Sequence, residues 1–259
     1  NSQPGQKWPM EYVASSLRRL VKKLKEVGGR EFADEDLRES IKLMNRGRKA
    51  VRDYVTDWIN AERMPSYSND FSWIMRLIIE YFGEPEAGVQ LAEQAVLEQR
   101  ERVERGIKGV QVAEDPVRLF ICGSCITMQA DRIDKYGGII VGYDDYWNRA
   151  MVDAKVEGDP YENLAEAMLS WPYERPTIDR GRWVAEQVLK AKADGLIFAY
   201  HWGCQLQSAV ARMVSEIVKK ETGVPVLYME LDQLGKQETV EQSENRIEAF
   251  IEMLSVKKK

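Results

Sequence analysis

Four side chains in this sequence combine reactive chemistry with suggestive spacing: Cys122 and Cys125, separated by two residues, and His201 and Cys204, separated likewise. A thiolate can serve as nucleophile, redox centre or metal ligand, and an imidazole as acid, base, hydrogen-bond donor or ligand. Each pair follows a short apolar run, residues 117–121 in one case and 196–200 in the other. After Cys204, Gln205 opens a pattern with apolar residues at Leu206, Val210, Met213, Val214 and Ile217, which is helical spacing. That order of strand, glycine-containing turn, thiol and helix places Cys204 at a helix N-terminus, where unpaired N–H groups and the macrodipole favour a thiolate. The ordinary alternatives are a cysteine that is merely a small buried hydrophobe and a histidine fixed by a backbone group. The Cys122-x-x-Cys125 pair by itself fits a dithiol redox couple, part of a zinc site completed by Cys204 and His201, or ligands of an iron–sulfur cluster. Three thiolates and one open iron suit a [4Fe–4S] cluster that binds a substrate oxygen as a Lewis acid.

The elements that must position these groups fall into two stretches. Residues 1–112 read as a helical region. Helices are expected over 10–27, 34–61 with Asp34 as N-cap, 69–82 and 86–107, and Trp73 is expected to be buried with its apolar neighbours. From Pro116 the pattern changes to strands over 117–121, 138–142, 196–200 and 226–231 with helices between them, and a closing helix over 240–254. Residues 113–259 are therefore expected to form an α/β domain: a flavodoxin-like four-stranded parallel sheet of order 2-1-3-4 with right-handed crossovers. In that order the first and third strands are neighbours. The loops carrying all three cysteines and the single histidine then meet at the switch point, where open α/β sheets collect ligands. Trp202 is expected to pack.

Composition narrows the function. The 259 residues carry a net charge of −5 and 31% charged side chains, with no basic excess to suit nucleic acid. No apolar run approaches the roughly 18 residues of a membrane span, and the polar first residues do not read as a signal peptide. Three cysteines argue against a disulfide framework and for a reducing, cytoplasmic setting. Because the sequence begins with Asn and a linker-like stretch, a fragment or processed product is expected.

The last third of the chain resembles the 2-hydroxyacyl-CoA dehydratase and benzoyl-CoA reductase subunit family. The matching residues are Asp194-Gly195-Leu196-Ile197, His201-Trp202-Gly203-Cys204-Gln205, Gly223-Val224-Pro225-Val226-Leu227, and Gln242 with the string from Asn245 to Leu254. Gly137-Gly138-Ile139-Ile140-Val141 and Gly158-Asp159-Pro160 match as well, and the likeness extends loosely from Met10. The resemblance implies an oxygen-sensitive [4Fe–4S] cluster with Cys204 as a ligand and His201 beside it in a catalytic role. It also implies a related second subunit, an ATP-dependent iron–sulfur activator protein that delivers single electrons, and an acyl-CoA substrate. The reaction would be radical dehydration of a 2-hydroxyacyl-CoA or reduction of an aromatic acyl-CoA, in an anaerobic cytoplasm. Family members carry a further α/β domain ahead of the helices, so this chain is expected to correspond to their C-terminal part. Cys122 and Cys125 have no family counterpart, and are expected either to replace ligands from that domain or to leave Cys204 as the lone ligand here. A non-catalytic scaffold subunit of the same fold, and a thiol–disulfide module built on Cys122 and Cys125, are the rival expectations.

Overall fold

The computed structural model describes residues 7–29, 31–77, 83–109, 112–123, 130–231 and 237–258. Cys125 lies outside them. At the centre is a four-stranded, all-parallel sheet of order β2-β1-β3-β4, formed by β1 (Val117–Cys122), β2 (Gly138–Tyr143), β3 (Gly195–His201) and β4 (Val226–Leu231). This is the order expected from the alternation of strand and helix patterns. β2 is buried along its whole length and β1 and β3 nearly so, which is why their sequences are near-continuous apolar runs. β4 is an edge strand and alternates between exposed and buried positions.

The helical stretch contains α1 (Lys7–Gly28), α2 (Asp34–Asn60), α3 (Ser68–Arg76) and α4 (Pro85–Glu104). α2 begins one residue earlier than a cap at Asp34 requires. Ala33 is the N-cap and Asp34 the first helical residue, while Asp36 reaches back to accept the Ala33 N–H at 2.7 Å. α3 does not bury its whole surface: Phe71 and Met75 are inaccessible, but Trp73 is 49% exposed.

Beyond the first strand come α5 (Ala130–Lys135), α6 (Asp144–Ala150), α7 (Pro160–Ser170), α8 (Thr177–Lys190), α9 (Gln205–Thr222) and α10 (Gln237–Lys258). α5 and α10 are in contact with one another, as are α8 and α9. α10 buries Ile247, Phe250, Ile251 and Leu254, a stripe of helical period. α9 ends at Gly223, whose left-handed φ of 71° is the usual glycine C-cap geometry. The matched motif Gly158-Asp159-Pro160 has a local structural cause. Asp159 accepts the N–H groups of Tyr161 and Glu162 at the start of α7, and Pro160 occupies the first helical position.

The helical stretch and the sheet share a core. Trp58 of α2 is inaccessible, stacks on Phe71 of α3 at 5.0 Å, and donates its Nε1–H to the Ile140 carbonyl of β2 at 3.0 Å. Ser68 at the start of α3 donates its N–H (2.8 Å) and its hydroxyl to buried Asp134 of α5, and its Oγ accepts the Ile140 N–H at 2.9 Å. α3 is thus anchored by polar contacts inside an apolar layer. Among the described residues, no helix is long and apolar enough to cross a membrane.

Candidate functional site

Because β1 and β3 are adjacent, with Cys122 opposite Phe198 in register, their C-terminal ends lie side by side. Their approach is close. Gly123 has φ of 80°, and a Cβ there would stand 1.9 Å from the Ala199 carbonyl oxygen. The Gly123 N–H is taken up by buried Asp144 at 2.9 Å. The first half of the Cys122-x-x-Cys125 motif is therefore clamped between β3 and α6.

Cys204 is the N-cap residue of α9, and no side chain caps that helix. Its sulfur-bearing side chain is half-buried. The turn leading to it is tight: the Cys204 N–H donates to the His201 carbonyl at 2.8 Å, and the Cys204 carbonyl accepts the Ser208 N–H at 3.0 Å. His201 closes the same turn, since its Nδ1 accepts the Gly203 N–H at 3.1 Å. An Nδ1 that accepts places the proton of the neutral ring on Nε2, which remains a donor with no protein partner among the described residues. Trp202 does not pack as expected. It is 60% exposed, with its ring stacked on His201 at 5.6 Å. The Trp202 N–H donates to the Leu231 carbonyl at the end of the β3–β4 ladder, so the residue stands just beyond the last paired position.

Cys122 is in a different environment. It is 0% exposed, and burial pushes its thiol well above the usual range, reinforced by the Asp144 carboxylate beside it and opposed by Arg180. Asp144, the residue that begins α6 directly after β2, forms a buried ion pair with Arg180 of α8. The Arg180 guanidinium also lies 4.0 Å over the Tyr173 ring and reaches Gln207 of α9 at 3.3 Å. Burial alone pulls Arg180 down, but Asp144 holds its charge above the ordinary arginine range. Burial raises the Tyr173 phenol, with Arg180 opposing and the charges of Asp144, Asp145 and Cys204 adding to the rise. Cys122 thus lies beside the buried Asp144–Arg180 pair, with the half-buried Tyr173 ring over the guanidinium.

None of these polar residues was expected in the site from the sequence, although two signals were present. Asp144 sits at the carboxyl end of a buried strand, where ligand-binding groups collect. Arg180 shares the apolar face of α8 with Trp183, Val184 and Gln187, at spacings of three, four and seven. A charge on that face must find a buried partner. Among the described residues, no three His, Cys, Asp or Glu side chains converge in a metal-ligating group. Cys125 falls outside the described residues.

Residues 3–254 match the model of the family described as 2-hydroxyglutaryl-CoA dehydratase, D-component. The chain is 24% identical over 250 residues to the putative dehydratase subunit YjiM of Escherichia coli (strain K12), which covers 93% of this chain and 63% of that protein. It is 28% identical over 201 residues to a subunit of the benzoyl-CoA reductase of Thauera aromatica, covering 73% of this chain and 49% of that one. The chain therefore spans less than two thirds of the length of either relative.

Proposed function

The chain belongs to the 2-hydroxyglutaryl-CoA dehydratase D-component family, and we propose that it acts as a subunit, or the C-terminal part of one, in an acyl-CoA dehydratase or reductase. The observation that carries this reading is the family match over residues 3–254, combined with a partly accessible thiol at the helix N-terminus of the switch point. In this reading the partner is a related second subunit, electrons come from an ATP-dependent activator protein, and the substrate is an acyl-CoA thioester.

The two cysteines among the described residues differ in how well they suit an iron–sulfur cluster. Cys204 fits as a ligand: its side chain is partly accessible and sits at the N-cap of α9, at the end of β3. Cys122 does not, because it is wholly buried beside a carboxylate that opposes ionisation. The remaining ligands of such a cluster come from outside the described residues, with Cys125 among the candidates. When bound, the cluster supplies single-electron transfer and a Lewis-acidic iron. The part of this chain is to hold Cys204 at the end of β3 and to present the Nε2–H of His201 as a hydrogen-bond donor to a sulfur or a substrate oxygen. The burial of Cys122 also weighs against a thiol–disulfide module, whose attacking thiol must be accessible and easily ionised.

The test is iron and acid-labile sulfide content after anaerobic purification. Wild-type protein should contain both, Cys204→Ala should lose them, and Cys122→Ala should keep them. Wild-type iron in Cys204→Ala overturns the ligand assignment, and a chain that never binds iron leaves the scaffold reading.

A further inference from the structure

The turn that carries Cys204 also holds the chain's single histidine, and Trp202 is the large side chain of that turn that takes no part in the core. The backbone around it is tied down. The Trp202 N–H donates to the Leu231 carbonyl at 3.2 Å, and the Cys204 N–H closes the turn on the His201 carbonyl at 2.8 Å. The indole lies against His201, with ring centroids 5.6 Å apart and planes 29° from parallel, while 60% of its residue surface stays in solvent.

A donor imidazole needs more than one restraint. Acceptance of the Gly203 N–H at 3.1 Å fixes one edge of the ring at Nδ1. A single hydrogen bond leaves the ring free to tilt about the bond, because the second torsion of histidine is broad. Glycine at 203 gives the ring its place: a Cβ there would stand 3.3 Å from Nδ1 and 3.4 Å from Cε1, close enough to press the ring away. The stack on Trp202 supplies the second restraint, acting on the plane of the ring where the hydrogen bond acts on its edge.

We propose that Trp202 is a positioning residue for His201, its indole holding the imidazole in the orientation in which Nδ1 keeps the Gly203 N–H and Nε2–H stays free to donate. This rests on the reading of His201 as a hydrogen-bond donor beside Cys204. A ring pair shifts an orientation equilibrium by about two- to tenfold. That is enough to set how often the donor is presented and too little to decide whether the chain folds.

Nitrogen-15 spectra and amide proton exchange of the untagged, iron-free full chain test this at about pH 8.5, where an ordinary imidazole is neutral. With one histidine in the sequence, the imidazole signals need no assignment. Wild type should show the Nε2–H tautomer. Trp202→Ala should move both ring nitrogens toward the averaged shifts of free imidazole and speed exchange of the Gly203 amide by about two- to tenfold. The Cys204 amide and the urea midpoint should not change. Trp202→Phe, which keeps a ring to stack, should retain the wild-type shifts. Wild-type nitrogen shifts in Trp202→Ala overturn the proposal and leave the donor reading of His201 standing. Equal acceleration at Gly203 and Cys204 also overturns it, since Trp202 then only supports the turn. An Nδ1–H tautomer in wild type overturns the donor reading and the positioning role together.

Discussion

At the scale of single residues, the candidate site depends on positions that tolerate little change. Gly123 combines a positive φ with a carbonyl oxygen where a Cβ would stand. Relief requires β1 and β3 to separate, so Gly123→Ala should cost about 3 kcal/mol or more, combining backbone strain with displacement of buried structure. A lowered urea midpoint at unchanged m checks this, and an unaltered midpoint means the loop can relax without disturbing β3. His201 supports a sharper expectation. Because its Nδ1 accepts the Gly203 N–H, the neutral ring should be the Nε2–H tautomer. Nitrogen chemical shifts of the imidazole read the tautomer directly, and an Nδ1–H signal would remove the Nε2 donor from the proposed function. His201→Gln should then leave the unfolding transition unchanged while altering activity of the assembled enzyme.

At the scale of elements, the strands were legible and their polar anchors were not. β1, β3 and β4 follow their apolar runs almost to the residue, and the order 2-1-3-4 follows from alternation and handedness. The short α6 and the exposed Trp73 and Trp202 escaped because a local pattern reports how apolar a side chain is, not whether a neighbouring element covers it. The position of Cys204 at the start of α9 was legible because it is set by one local turn. The Asp144–Arg180 pair was not, since it joins residues 36 apart and only the fold brings them together. Removing one partner strands the other in the interior, so Arg180→Met should destabilise by about 3–5 kcal/mol, measurable by urea unfolding. Asp134 links α5 to α3 and gives a pH signature. Burial raises its carboxyl from 3.8 to about 6, against the opposing Ser68 hydrogen bonds, with Asp131 and Asp70 adding to the rise. The folded state therefore holds this proton more tightly than the unfolded chain. Its stabilising contribution is complete below pH 3.8 and is lost as pH rises through about 6, a change of about 3 kcal/mol. Asp134→Asn should flatten stability against pH in that window, and an unchanged slope assigns the dependence to other groups.

At the scale of the whole molecule, the switch from helical to alternating sequence near Pro116 marks a change of pattern within a shared core. Tyr54, Trp58 and Phe71 from the helical stretch belong to the same buried cluster as Leu119, Ile140, Tyr143 and Phe198 from the sheet. Phe71 lies 6.1 Å from the Tyr143 ring, and the Tyr143 hydroxyl pairs with Ser72 at 2.5 Å, so apolar and polar contacts cross the same boundary. Lys258, at the end of α10, adds contacts to Asp115 and Asp194 that tie the last helix to the starts of β1 and β3. Groups packed this way lose their partners together, which is the physical basis of a cooperative transition. Urea unfolding of the intact chain should therefore give coincident curves for helix content by far-ultraviolet dichroism and for tryptophan environment by fluorescence. Trp58→Ala should shift both curves together by about 3–5 kcal/mol, because it opens a large cavity and leaves the Ile140 carbonyl without its donor. Residues 113–259 expressed alone would expose the face of β2 that Trp58 and Phe71 cover, and should show no cooperative transition. Two separated transitions in the intact chain, or a sharp transition in the isolated segment, would mean that the sheet carries a sufficient core of its own and that the helical stretch stabilises it only as an added layer.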